Sequence, residues 1–181
     1  PLDKFKEVVS DAAKLGAKTI CLSADKISNV YMKDLNVCVT GFSYSSKENE
    51  DDILNHIKPA KAGAFNILLA HGGDAKHLPF NKKNLKESNF DYVALGHIHK
   101  PEVIKENAVI MAGSLEPIDY TDTGARGYIY GEVVDGIIKT EFVPVAQRAY
   151  MNLLINIIKH MFFIFSCSKY IVRAKSSKYF V

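Results

Sequence analysis

Two histidines one residue apart, His97 and His99, follow an apolar run and a glycine in the stretch DYVALGHIHKP, Asp91 to Pro101. In an extended backbone successive side chains point to opposite faces, so residues two apart share one face and these two rings can aim at one place. A third histidine, His71, ends another apolar run, Phe65 to Ala70, and is followed by Gly72 and Gly73. If the two runs are neighbouring parallel strands, their C-terminal ends lie on the same side, where α/β sheets hold their ligands. A single histidine after a strand is usually an ordinary surface residue. Three of them converging at strand ends point to metal binding, because imidazole is the commonest side-chain metal ligand.

The elements that must position these residues read as α/β construction. Leu2, Phe5, Val8, Val9, Ala12 and Leu15 recur at helical spacing, and Gly16 is placed to close that helix. Thr19 to Leu22 reads as a short buried strand, Val30 to Met32 as a weaker one and Val37 to Tyr44 as a stronger one. A helix is expected around Asp51 to Ile57, ended by Pro59. The run Phe65 to Ala70, apolar apart from Asn66, is expected to be covered on both faces. Asn81 to Ser88 reads as a short helix capped by Asn81 or Asn84. Val109 to Ala112 follows the histidine pair, then a turn at Gly113 to Pro117. Tyr128 to Val134 and Ile137 to Val145 flank Asp135-Gly136, a hairpin signal.

Bulk properties bound the class. The chain has 181 residues, 48% hydrophobic and 24% charged, which suits one globular domain of 1–148 followed by an appendage, 149–181. Net charge is +3, but the appendage alone carries +5 and no acid, leaving the body at −2. A mildly acidic body offers no global electrostatic case for nucleic-acid binding. The basic appendage suits either a membrane-surface helix or a packing helix or strand with a basic end. It is too interrupted by Asn152, Asn156, Lys159 and His160 for a transmembrane span. Cys21, Cys38 and Cys167 have no metal or disulfide spacing, so a reducing, cytoplasmic setting is expected.

LLAHGG, DYVALGHIHKP, MAGSLEP and GYIYGEV together resemble the C-terminal half of a calcineurin-like metallophosphoesterase. Within that superfamily the likeness is to bacterial DNA repair exonucleases, relatives of the double-strand-break repair nuclease subunit, over about Val37 to Arg148. The resemblance implies a four-layer α/β/β/α sandwich with mixed sheets and a centre of two divalent metal ions, usually manganese. One ion would take His71 and His97 and the other His99, for hydrolysis of a phosphodiester by in-line attack. It also implies DNA as substrate, a coiled-coil ATPase subunit as partner and a homodimer.

Three further motifs of the family are absent: Asp-x-His, a Gly-Asp preceding the rest, and Gly-Asn-His. Gly73-Asp74 follows His71 instead of preceding it, and Asn55-His56 lacks the glycine. The chain also begins at Pro1, so it is expected to be a C-terminal piece of a longer protein. Two close divalent ions repel unless carboxylates bridge them, and three neutral histidines supply no such charge. The expectation is at most one weakly bound metal, little hydrolysis by the chain alone, and exposed sheet edges and apolar faces. The catalytic and substrate-binding residues are not identifiable from these residues. The alternatives are a small-molecule phosphodiesterase or phosphatase, and a non-catalytic interaction module working through the basic appendage.

Overall fold

The computed structural model describes residues 2–17, 19–24, 26–154 and 170–175. The first helix, α1, spans Leu2–Lys14. Gly16, at φ 84°, lets the chain reverse there, and Ala17 N–H closes the end on the Ala12 carbonyl at 2.9 Å. On its apolar side Val8 is 66% and Leu15 89% exposed.

The centre is a six-stranded mixed sheet. Its strands are β1 (Ser28–Met32), β2 (Val37–Gly41), β3 (Phe65–Gly72), β4 (Tyr92–His97), β5 (Glu102–Lys105) and β6 (Val109–Met111). They lie in the order β1-β2-β3-β4-β6-β5. β2, β3, β4 and β6 run parallel, while β1 and β5 pair antiparallel at the two edges. This is the mixed α/β class expected from the pattern of apolar runs.

Between β3 and β4 runs the short helix α2 (Lys82–Lys86), capped by the Asn81 side chain, which accepts from Lys83 N–H. Leu68, Val93, Leu95, Val109 and Met111 form the core with Leu54, Leu78 and Leu85 from the connections above that face. Beyond the sheet lie two pairs: the antiparallel hairpin β7 (Gly127–Val134) with β8 (Ile137–Pro144), and the parallel pair β9 (Ala149–Leu154) with β10 (Tyr170–Lys175). Asp135, at φ 51°, and Gly136, at φ 75°, make the hairpin turn, as the Asp-Gly signal predicts.

Several expectations are corrected. Thr19 to Leu22 is not a strand; the segment after it is tied to the end of β2 by Ser43 N–H donating to the Ser23 carbonyl at 2.8 Å. The helix expected around Asp51 to Ile57 shrinks to a single 3-10 turn, Ile53–Asn55. Among the described residues β3 is fully covered on one face only: Leu68 is fully buried, whereas Leu69, pointing the other way, is 47% exposed. An apolar run shows that a strand is hydrophobic; it does not show that a second layer covers it. β5 had no sequence signal, being four residues long with two charges. In the appendage the described residues form the β9–β10 pair; His160 and Cys167 lie outside the described residues. Among the described residues, no helix is long and apolar enough to cross a membrane.

Candidate metal centre

β3 and β4 are hydrogen-bonded parallel neighbours, with His71 opposite Gly96 and Gly72 opposite His97. Their C-terminal ends therefore stand side by side. Pleat alternation alone would put His71 and His97 on opposite faces, since His71 follows the open-face residue Leu69 and His97 follows the buried Leu95. They meet because the pleat stops there. His97 has φ 100°, a conformation that a residue with a side chain rarely adopts, and its ring comes within 5.1 Å of the His71 ring, centroid to centroid.

That backbone turn also removes the premise for pairing His97 with His99. Extended geometry ends at His97, and the His99 ring is held elsewhere. Its Nδ1 lies 3.2 Å from Asp122 Oδ2, and Asp122 pairs with the buried Arg126 at 3.5 Å. Glycine makes room on both sides of this arrangement. A Cβ on Gly96 would stand 3.2 Å from His71 Nδ1, and one on Gly113, at φ 79°, would stand 2.7 Å from the His99 carbonyl.

Two residues not singled out as ligands in the sequence complete the cluster. After His71 the chain makes a tight turn in which Asp74 Oδ1 accepts from Lys76 N–H at 2.9 Å and His77 N–H donates to the Asp74 carbonyl at 3.2 Å. This places His77 Nδ1 2.8 Å from Asp74 Oδ1 and His97 Nε2 2.7 Å from Asp74 Oδ2. The His77 and His97 rings lie 4.3 Å apart, tilted by 37°. The turn signal was legible in Gly-Gly-Asp, but nothing in the sequence said that the turn faces the end of β4.

The electrostatics follow. Hydrogen bonds from His97 and then His77, with that of Lys76 N–H, hold the Asp74 carboxyl well below the ordinary carboxylate range. Loss of water around the His71 ring, then the charges of His97 and His77, hold its pKa below 6.5, so it presents a neutral ring. Tyr44 donates to the His71 carbonyl, and its ring stands edge-on to both His71 and His77, 6.1 and 6.5 Å away. Burial and the nearby Asp74 charge push the Tyr44 hydroxyl pKa up. A cleft of about 590 Å³ opens beside His71, walled by Leu22, Tyr44, Leu69 and Gly96.

The donor chemistry fits a divalent cation. Ligand atoms of Asp74, His77 and His97 all lie within 4.8 Å of one another. One carboxylate also supplies a negative charge that the three predicted histidines lack. Of the lysines near strand ends, Lys61 sits over the Tyr31 ring at 4.7 Å and Lys105 donates to the Lys86 carbonyl.

A mixed sheet with histidines gathered at parallel strand ends is the architecture expected of a metal-dependent phosphoesterase. No protein-family model matches the chain. Over 120 residues it is 32% identical to an uncharacterized metallophosphoesterase, YhaO, of Bacillus subtilis strain 168. The matched stretch is 62% of this chain, and the chain spans 28% of that relative's length. This similarity supports the metallophosphoesterase family.

Proposed function

We propose that these residues belong to a metal-dependent phosphodiesterase of the DNA repair nuclease type, its site completed by residues beyond this chain. The observation that carries the reading is the meeting of the His71 and His97 rings at the ends of two parallel strands. It stands within a sequence similar to a metallophosphoesterase. A bound divalent ion supplies Lewis acidity toward a phosphate oxygen. The chain's own part is to present the His71 and His97 imidazoles, His71 held neutral by loss of water around its ring, with the Asp74 carboxylate against His97. In this reading DNA is the substrate, a coiled-coil ATPase the partner, a homodimer the working state and the cytoplasm the setting.

The test compares the chain alone with the chain joined to those parts of the Bacillus relative that the similarity does not cover. Both are assayed with Mn²⁺ on a nitrophenyl phosphodiester. Turnover is expected only in the joined protein, and His71→Ala should abolish it. A well-folded joined protein without turnover would sink the hydrolase reading. Faster cleavage of a cyclic nucleotide than of single-stranded DNA would move the assignment to small-molecule phosphodiesterases.

A further inference from the structure

We propose that Asp74, His77 and His97 form a self-contained site for one zinc-class divalent ion, in which the His99 side chain takes no part. Two separate pieces of backbone deliver the ligands: the turn after β3 supplies Asp74 and His77, and the end of β4 supplies His97. The donor atoms are His77 Nδ1, His97 Nε2 and the Asp74 carboxylate, and each imidazole nitrogen already lies within 2.8 Å of a carboxylate oxygen.

Two imidazoles and one carboxylate are the ligand type of three-residue zinc sites that keep a fourth position open. The same set disfavours magnesium and calcium, which take oxygen donors almost exclusively. An ion would sit among atoms now joined by hydrogen bonds. Each nitrogen that donates to Asp74 in the ion-free state would move its proton to the other ring nitrogen, leaving a lone pair toward the metal. A balancing charge is present, since among the described residues the Asp74 carboxylate contacts both rings.

Two local features fit a binding site better than a surface hydrogen-bond cluster. His97 holds a strained backbone at φ 100°, which turns its ring to the Asp74 side. Gly72 allows the turn to close on β3, because a Cβ there would stand 2.6 Å from the His77 carbonyl and from Leu78 Cβ. Leu78 is 1% exposed and anchors the turn to the core, so His77 is positioned by packing as well as by Asp74.

The geometry separates this site from the arrangement the family resemblance implies. There, His71 and His97 share one ion and His99 holds a second; here, His99 is engaged by Asp122, and His77 stands beside His97. The inference stands apart from the hydrolase reading, because it concerns binding by the chain as it is.

The experiment titrates the full 181-residue chain with Co²⁺, read by its visible absorption, and then displaces it with Zn²⁺. One equivalent is expected to bind without a thiolate charge-transfer band. His77→Gln and Asp74→Asn should each weaken binding by about tenfold or more, and His99→Gln by less than about threefold. Circular dichroism melts establish that each variant is folded. Asp74 lies on an exposed turn, so Asp74→Asn keeps the test decisive should His77→Gln unfold. The proposal is overturned by no saturable Co²⁺ binding, by a thiolate band placing the ion on a cysteine, or by loss of binding in His99→Gln with none in His77→Gln. The last outcome would favour the family arrangement, and none depends on whether hydrolysis is seen.

Discussion

His99 Nδ1 lies 3.2 Å from Asp122 Oδ2, and the same carboxylate oxygen accepts from Ile118 N–H at 2.9 Å. An ionised carboxylate only accepts, so the shared proton rides on Nδ1 and the free lone pair of His99 is on Nε2. Asp122 thereby fixes one tautomer and one ring orientation at the turn after β6. The ring-nitrogen ¹⁵N shifts of His99 should report the Nδ1–H tautomer in the wild type. In Asp122→Asn that preference should disappear; an unchanged spectrum would show that Asp122 does not set it.

Arg126 is 2% exposed and its charge is balanced by Asp122. Removing one partner leaves the other buried and uncompensated, which costs about 3–5 kcal/mol. Arg126→Ala should therefore lower the urea midpoint strongly. A double replacement of Asp122 and Arg126 by apolar residues should cost less than the sum of the single changes, and simple additivity would show that the two are not coupled.

The acid limb of the stability curve follows from the same carboxylate. Burial is the largest single influence on Asp122 and pushes its pKa up, but the Ile118 N–H and the charges of His99 and Arg126 outweigh it, so the net shift is below 3.8. The unfolded chain then takes up the proton first. The stability this group contributes is complete above the unfolded value and is lost as pH falls through 3.8 toward the folded one. Urea unfolding between pH 6 and 3 should show this loss in the wild type and a shallower dependence in Asp122→Asn.

Leu68 and Leu69 are neighbours on opposite faces of β3, one fully buried and the other 47% exposed. Leu68→Ala should cost about 2–5 kcal/mol. Leu69→Ala should cost about 1 kcal/mol, since roughly half of its surface already lies in water. Equal losses in thermal unfolding would mean that the second face is covered after all.

Gly72 links packing to the metal centre. A Cβ there would meet the His77 carbonyl at 2.6 Å, with Leu78 unable to yield. Gly72→Ala should destabilise the chain by about 1–3 kcal/mol and displace His77 from Asp74. Co²⁺ binding should fall along with the melting temperature. Retention of wild-type affinity would show that the turn tolerates the methyl without moving His77.

The sequence by itself determined the strand runs of β3 and β4 with His71 and His97 at their ends, the capped helix α2 and the Asp135-Gly136 hairpin. Each rests on local rules: an apolar run of strand length, a cap, a turn dipeptide. It also contained the family likeness, through LLAHGG and DYVALGHIHKP. It could not show that Thr19 to Leu22 fails to pair, because pairing depends on a partner strand. Nor could it show that Leu69, unlike Leu68, is left half-exposed.

Which groups share the site was decided in three dimensions. The i, i+2 rule joined His97 to His99, but it holds only in extended backbone, and His97 sits at φ 100°. With that turn, His99 went to Asp122, and a loop three residues beyond His71 brought Asp74 and His77 to His97. Periodicity reads neighbours along one strand; contacts between a loop and another strand's end are set by packing, here by Gly72 and Leu78.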